Sequence, residues 1–254
     1  MTTVGLLYPG HAAEDDFPRT EILLDTDIRL PLFSTGAGED AYRPDALRAQ
    51  GEAARLAEGV EELRLAGAEA LVWASSGGSF GQGWEGAHEQ IATLARTAGL
   101  PASSTSVGFV HAVREVGASR VAVAAPYPQD VTGLFAAFLA SAGVEVVATA
   151  SGGAGSAAEA GSWGPDAVNR LVREADHPDA EVVLVPDTAL HTAAYVPELE
   201  ELIGKPVLTA NQVTVWEGLR LTDRRTWAPV LGTLFATREP VLRQLEPKGI
   251  EVRE

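Results

Sequence analysis

The residues best suited to chemistry fall in four short segments, each directly after an apolar run of the chain. The segments are Pro9-Gly10-His11, Ser75-Ser76-Gly77-Gly78-Ser79, Pro126-Tyr127-Pro128 and Asp187-Thr188. Hydroxyls and backbone N–H groups can hold a carboxylate, whereas a carboxyl group can carry a proton and a phenol can stabilise charge. If the four segments meet, they predict a binding site for a small anion with one acid, Asp187, available for proton transfer.

The apolar runs before these segments predict the strands that would position them. The predicted strands are Val4–Tyr8, Ala70–Ala74, Val121–Ala125, Val144–Ala148 and Val182–Val185. Each run is apolar throughout, which is typical of strands buried on both faces of a parallel sheet. The patterns between them predict helices at Pro44–Leu65, Trp84–Ala98, Val131–Ala142 and Asp166–Glu174. This alternation predicts an α/β fold built from right-handed βαβ units.

An internal repeat indicates that the fold has two similar halves. The stretch from Ala68 to Ser76 aligns with Ala180 to Thr188, Val4–Pro9 aligns with Val121–Pro126, and Gly99-Leu-Pro101 aligns with Gly204-Lys-Pro206. We therefore predict two pseudo-symmetric, doubly wound parallel-sheet lobes, formed by residues 1–108 plus 208–254 and by residues 109–207. Since ligands of open α/β sheets lie at the carboxyl ends of the strands, the four segments should meet in the cleft between the lobes.

Composition excludes several classes of function. The chain has no cysteine, which excludes disulfides, thiolate metal sites and thiol nucleophiles, and it shows no cluster of metal ligands and no nucleotide-binding fingerprint. A formal net charge of −16 argues against nucleic acid and anionic membranes as partners. The sequence shows no signal peptide and no apolar run long enough to span a membrane, so we expect a cytoplasmic protein.

The Ser151–Gly164 stretch is rich in glycine, alanine and serine. Its composition predicts a flexible loop after a strand, and such a loop is either a lid over the site or a tolerated surface insertion. The sequence leaves both alternatives open.

Three segments resemble the aspartate/glutamate racemase superfamily, in particular its maleate isomerases and arylmalonate decarboxylases. They are WASSGGSFGQGWEG from Trp73, Ala125-Pro126-Tyr127, and PDTALHTAAYVPELEELIGKPVLTANQ from Pro186. The resemblance implies two pseudo-symmetric lobes around one active site, activity on a small carboxylate without a cofactor or metal, and a homodimer or homotetramer. It also places Ser75 and Asp187 where family members carry catalytic cysteines, whereas Tyr127, Ser76 and Thr188 keep the family pattern.

These replacements change the chemistry that is possible. A carboxyl group has a pKa near ~3.9, against ~8.5 for a thiol, so Asp187 is a weak base unless it is desolvated. We therefore expect one-base proton transfer next to a carboxylate, with Asp187, Ser75 and Tyr127 as catalytic residues. Ser76, Gly77, Thr188 and His11 are the predicted substrate-binding residues.

The leading hypothesis is an isomerase or lyase that does not depend on a thiol. The alternatives are an inactive homologue that binds a small carboxylate or a protein partner, and a hydrolase in which Asp187 activates water. Each candidate residue also has a structural interpretation. Asp187 could cap a helix, Ser75 and Ser76 could be turn residues, and Tyr127 could be a packed aromatic side chain.

Overall fold

A computed structural model of the chain describes residues 1–10, 12–36 and 40–237. His11, a predicted substrate-binding residue, lies outside the described residues. The strands are β1 Thr2–Tyr8, β2 Ile28–Arg29, β3 Leu32–Ser34, β4 Ala70–Trp73, β5 Ala102–Ser104, β6 Arg120–Ala125, β7 Glu145–Ser151, β8 Val182–Val185 and β9 Val207–Thr209. All the pairings between these strands are parallel.

Helices connect the strands and cover the two sheets. The α-helices are α1 Asp16–Leu24, α2 Pro44–Gln50, α3 Ala53–Glu58, α4 Val60–Leu65, α5 Gly77–Phe80, α6 Gly83–Ala98, α7 Thr105–Glu115, α8 Gln129–Ser141, α9 Ala157–Gly161, α10 Pro165–Ala175, α11 Val196–Ile203 and α12 Ala210–Leu221. Two short 3-10 helices follow at Pro229–Leu231 and Thr233–Phe235. None of the described helices has the length and apolar character needed to cross a membrane.

The two sheets have the same arrangement, which confirms the predicted fold class. The first has the order β2-β1-β4-β5, with β3 also paired to β1, and the second has the order β7-β6-β8-β9. The strands aligned by the internal repeat, β1 with β6 and β4 with β8, thus hold equivalent positions. Helix α12 contacts β1, β4 and β5, so the chain returns to the first sheet after β9.

Strand register brings the candidate segments side by side. Leu7 of β1 pairs with Trp73 of β4, so both strands end at the same edge, immediately before Pro9 and Ser75. Val123 of β6 pairs with Leu184 of β8, so Tyr127 and Asp187 follow strands that end together in the second sheet. The β1, β4, β6 and β8 residues are almost all fully buried, which is why their sequences are apolar throughout.

Two predicted elements differ from the structure. The single helix predicted over Pro44–Leu65 is three helices, α2, α3 and α4, separated at Gly51–Glu52 and Gly59. A Cβ on Gly51 would lie 2.1 Å from the carbonyl oxygen of Gly78, and one on Gly59 would lie 2.3 Å from the Phe33 ring. The Ser151–Gly164 stretch is also more ordered than a flexible loop. It contains helix α9, whose first turn is capped by the Ser156 hydroxyl.

Candidate functional site

A cavity of about 270 Å³ lies where the carboxyl ends of the two sheets meet. Its lining includes Ser75, Ser76, Gly77, Tyr127, Asp187 and Thr188, so six of the seven predicted site residues come together. The seventh, His11, is not described. The remaining lining residues are Tyr8, Pro9, Gly10, Ala12, Asp40, Tyr42, Leu47, Gln50, Ala157, Ala158 and Ala189.

Asp187 lies two residues beyond the end of β8 and is only 6% exposed. One carboxylate oxygen accepts a hydrogen bond of 2.9 Å from the Ala189 N–H, and the other accepts one from the Tyr42 hydroxyl. Burial raises the pKa of Asp187 to about 6, and the hydrogen bonds from Tyr42 and Ala189 oppose this rise while the charge of Asp40 adds to it. A carboxyl group with this pKa exists in both protonation states near neutral pH.

The structural interpretation of Asp187 as a helix cap does not hold. Its oxygen bonds the N–H two residues further on, as in a local turn, but the next helix, α11, begins only at Val196. A cap would also leave the carboxyl pointing at a helix end, whereas here it lines the cavity.

Tyr42 is a site residue that the sequence did not reveal. It precedes α2, far from any strand end, and only the fold brings its hydroxyl to Asp187, 145 residues along the chain. Its ring packs edge-to-face against Tyr127, with the centroids 4.8 Å apart. Burial and the charge of Asp187 raise the pKa of Tyr42 well above 10.0, so the hydroxyl stays protonated and acts as a donor to the acid.

Tyr127 is 1% exposed and donates its hydroxyl hydrogen to the carbonyl oxygen of Pro186. Burial, followed by the charge of Asp187, raises the pKa of Tyr127 well above 10.0. Because this hydrogen bond is made to the backbone immediately before Asp187, Tyr127 holds the segment that carries the acid in place. Its ring forms part of the cavity wall.

The cavity wall at the end of the first sheet offers hydrogen-bonding groups for which the described residues provide no well-aligned partner. The oxygen of Ser76 is buried and makes no well-aligned hydrogen bond to a described residue, although it lies beside the Tyr127 hydroxyl. The N–H groups of Ser76 and Gly77 likewise find no backbone acceptor among the described residues. Ser75 differs, because its oxygen accepts a 3.0 Å hydrogen bond from the Gly78 N–H. Ser76 and Gly77 are therefore the better placed of these residues to hold an anion.

The described lining contains two acids, Asp40 and Asp187, and no lysine, arginine or histidine. Within this described part of the lining, the groups that could hold an anion are neutral N–H and O–H donors. Within residues 1–10, 12–36 and 40–237, no group of three histidine, aspartate or glutamate side chains could hold a metal ion.

A larger cavity, of about 640 Å³, lies around Trp216, Trp227 and Arg220. It contains none of the predicted site residues, and it is not at the carboxyl ends of the strands. The smaller cavity is the candidate site because it joins a buried acid of raised pKa to unpartnered donors at the position typical of ligands in α/β folds.

Comparisons with known proteins identify the family to which the chain belongs. Residues 7–235 match the family model of arylmalonate decarboxylase. The arylmalonate decarboxylase of Bordetella bronchiseptica is 27% identical over 236 residues, which cover 92% of this chain and 96% of that protein.

Solved structures show the same fold. A crystal structure of arylmalonate decarboxylase is 26% identical and superimposes with a TM-score of 0.74, covering 93% of this chain and 100% of that one. The maleate isomerase of Pseudomonas putida S16, as a variant crystallised with maleate, gives a TM-score of 0.84 at 19% identity, with 93% and 98% coverage. At 19% identity, the similarity to the maleate isomerase concerns the fold alone.

Proposed function

Because the chain belongs to the arylmalonate decarboxylase family, we propose that it is a lyase that removes CO₂ from a small malonate-type dicarboxylate. Asp187 delivers the proton that replaces the lost carboxylate. The observation that carries this proposal is the buried Asp187 carboxyl, which lines the cavity with its pKa raised to about 6. The segment from Pro186 resembles the family, and this resemblance supports Asp187 as the residue that takes the role of a cysteine in the relatives.

Substrate binding uses the unpartnered donors of the first-sheet wall. One substrate carboxylate lies against the N–H groups of Ser76 and Gly77 and the hydroxyl of Ser76. These groups are buried and fixed by the backbone, so they need no reorganisation as charge develops. The second carboxylate then points into the space lined by Leu47 and Tyr42, where the described lining offers no cation to stabilise it.

The reaction breaks the bond between the α-carbon and the second carboxylate, which leaves as CO₂. The electron pair moves into the retained carboxylate and forms an enediolate, whose added charge is stabilised by the donors at Ser76 and Gly77. The carboxylic acid of Asp187 then gives its proton to the α-carbon and becomes a carboxylate. One proton taken from water restores Asp187, so the dianion and one proton become CO₂ and a monocarboxylate.

The environment keeps Asp187 ready for this step. A dianionic substrate next to a carboxylate disfavours its ionised form, so substrate binding raises the pKa of Asp187 further. Tyr42 donates to one carboxylate oxygen and Ala189 to the other, which fixes the orientation of the group. Tyr42 and Ala189 are positioning residues in this scheme.

A single acid also explains why decarboxylation is the best match among the family's reactions. Racemisation by two bases requires acid–base groups on both faces of the substrate, and Asp187 and Asp40 are the only carboxyl groups of the described lining. Asp40 is solvent-exposed, and both of its oxygens accept N–H groups of α9. Isomerisation through thiol addition requires a cysteine, and this chain has none. Decarboxylation needs only one proton from one face.

The alternative of an inactive homologue predicts a site filled by side chains. The cavity is instead open, with about 270 Å³ of space and a buried, unpartnered Ser76 hydroxyl in its wall. These features support a ligand-binding site, and they are compatible with the hydrolase alternative as well. Assembly into a homodimer or homotetramer and a cytoplasmic location remain predictions.

Proton NMR in D₂O with phenylmalonate, methylmalonate and maleate tests the proposal. We expect a malonate to lose CO₂ and its product to carry one deuterium at the α-carbon, with maleate unchanged. Asp187→Asn should lower the rate by about 10²–10⁴-fold, the range for loss of a general acid. Asp130→Asn, a surface change on α8, is the matched control.

Folded wild-type protein that releases no CO₂ from any malonate contradicts the proposal, as does undiminished activity in Asp187→Asn. Solvent ¹⁸O in the product of an ester or amide substrate would identify a hydrolase instead.

A further inference from the structure

Gln50 is a polar residue of the cavity that the proposed reaction does not use. It is the last residue of α2, is 9% exposed and lines the cavity beside Leu47. Its amide makes no hydrogen bond to any described residue. A primary amide that lines a cavity without a protein partner can exchange water for a ligand that pairs with both its donor and its acceptor, so this position is suited to such a ligand.

Asp40 lines the same cavity at its exposed side. Its oxygens accept hydrogen bonds of 2.8 and 3.0 Å from the N–H groups of Ala157 and Ala158, which fixes the carboxylate at the start of α9. Its charge reaches the site, because it contributes to the raised pKa of Asp187. No lysine, arginine or histidine of the described lining offsets it.

We propose that Gln50 and Asp40 form a distal subsite that selects a substrate whose side group ends in a carboxamide rather than in a further carboxylate. The proposal rests on the proposed function, because it concerns the part of the malonate substrate that does not react.

The chemistry of the two residues favours a carboxamide over other groups. A primary amide both donates and accepts, so it pairs reciprocally with the Gln50 amide, which also has a donor and an acceptor. An alkyl group would leave the Gln50 amide unpaired. A carboxylate would also find a donor in Gln50, but it would face the negative charge of Asp40, which no cation of the described lining compensates.

The test uses three carboxylates that share one carboxylate end and differ only at the distal end, which is a carboxamide in succinamate, a methyl group in butanoate and a second carboxylate in succinate. Their dissociation constants are measured by NMR titration, so no reaction is needed. We expect succinamate to bind about three- to tenfold more tightly than butanoate, the range for one net hydrogen bond, and succinate to bind most weakly. The disadvantage of succinate should decrease as salt is raised, since Asp40 is exposed.

Variants of Gln50 and Asp40 test whether these residues cause the preference for succinamate. Gln50→Met, which keeps the length of the side chain and removes its hydrogen bonding, should make succinamate and butanoate equal. Asp40→Asn should remove the disadvantage of succinate and keep an oxygen acceptor at the start of α9. Asp45→Asn removes one charge from the exposed part of α2, where the side chain is 74% exposed, and should change nothing.

The order of the three dissociation constants in the wild-type protein can by itself contradict the proposed subsite, whether or not a variant folds. Succinate binding as tightly as succinamate contradicts it, and so does a succinamate preference that survives in folded Gln50→Met. Equal binding of all three acids removes the subsite and leaves the proposed lyase intact. Failure of all three to bind contradicts both proposals, whereas the expected order without CO₂ release from malonates contradicts the reaction alone.

Discussion

Asp187 carries the proposed chemistry at a cost in stability. Its pKa is raised from 3.8 to about 6 by burial, so the folded protein holds a proton that the unfolded chain releases. Ionisation of Asp187 is therefore less favourable in the folded protein than in the unfolded chain, and this difference is a penalty on the free energy of unfolding. The penalty is absent below pH 3.8, grows as the pH rises to about 6, and is fully present above that.

Asp187→Asn should therefore stabilise the protein at pH 7 while it lowers the rate of the reaction. A neutral amide of the same size removes the penalty, which is up to about 3 kcal/mol for a shift of about two pKa units. Urea unfolding of both proteins between pH 4 and pH 8 measures the effect. The gain should vanish near pH 4, and a constant difference at all pH values would show that the charge of Asp187 is not its cause.

Tyr42→Phe tests the coupling between the tyrosine and the acid. The Tyr42 hydroxyl donates to the carboxylate and lowers the pKa of Asp187, so its removal should raise that pKa. Because the acid must be protonated to act, kcat/KM of the wild type should decline above about pH 6, and the decline in Tyr42→Phe should begin at higher pH. Profiles of kcat/KM against pH measure this shift.

Tyr195→Phe is the matched control for this experiment. The Tyr195 hydroxyl is buried without a hydrogen-bond partner among the described residues and does not contact Asp187. Its profile should coincide with that of the wild type. Coincidence of all three profiles would show that Tyr42 does not tune the acid.

At the scale of elements, helix α12 lies directly on the first sheet because Gly218 has no side chain. A Cβ at this position would lie 2.3 Å from Cγ1 of Val4 in β1 and 3.2 Å from Cγ2 of Val72 in β4. Gly218→Ala should therefore lower the free energy of unfolding by about 1–3 kcal/mol through overpacking. Thermal or urea unfolding measures the change.

Gly133 in α8 is the natural comparison, because a Cβ there meets no atom within 4 Å. Gly133→Ala should stabilise the protein by about 0.5–1 kcal/mol, the ordinary gain for alanine over glycine in a helix. If the two glycine-to-alanine changes alter the free energy of unfolding in opposite directions, the effect of packing is distinguished from that of helix propensity. Equal effects would contradict the close contact between α12 and β1.

The strands differ in how well the sequence predicts them. The strands β1, β4, β6 and β8 are buried on both faces, so their sequences are continuously apolar and predict them well. The strands β2, β3, β5 and β9 have only two or three residues, and β5 reads Ala-Ser-Ser, so no periodicity could reveal them. The breaks at Gly51 and Gly59 depend on contacts with Gly78 and Phe33, which are formed only in the tertiary structure.

The residues of the candidate site also differ in how well the sequence predicts them. Ser75, Ser76, Tyr127 and Asp187 come just after strands, so parallel topology alone brings them to one edge. Tyr42 lies two residues before α2 and Gln50 is its last residue, and the position of this helix beside the cavity is set by packing rather than by a local sequence pattern. Residues supplied by connecting segments are therefore the part of the site that a single sequence does not predict.

At the scale of the whole molecule, a buried carboxylate joins the two halves next to the site. Asp16, at the start of α1, is 1% exposed, and its Oδ2 atom accepts N–H groups from Thr192 and Ala193 at 2.8 and 3.1 Å. The same oxygen accepts from the Asn211 side chain of α12 at 3.0 Å. Asp16 thus connects a helix of the first sheet to the segment that follows Asp187 in the second.

A second bond supports the same junction, because the Tyr8 hydroxyl donates to the Thr188 carbonyl oxygen at 3.1 Å. The segment from Thr188 to Ala193 is therefore held by the first half of the molecule. Its position fixes Asp187 relative to Ser76 and Gly77, which belong to that half. The distance between the acid and the anion-binding donors is consequently a property of the junction.

Asp16→Ala should weaken both stability and catalysis for this reason. It leaves the buried N–H groups of Thr192 and Ala193 without an acceptor and removes one of the two acceptors of the Asn211 amide, which together should cost about 3 kcal/mol of the free energy of unfolding. Displacement of Asp187 should lower kcat by about tenfold or more, since small misplacements of a catalytic group are costly. Unfolding and steady-state kinetics on the same protein measure both effects, at a temperature where the variant stays folded.

Asp15→Ala separates this role from a general effect of lost charge at the same turn. Asp15 is 58% exposed, and its 2.9 Å contact with His191 lies at the surface, so its loss should cost at most about 1 kcal/mol. The kcat of Asp15→Ala should match that of the wild type. If Asp16→Ala loses stability but keeps the wild-type kcat, the junction holds the lobes together without positioning Asp187, and the geometry of the site must be set within the second sheet by Tyr127 and Pro186 instead.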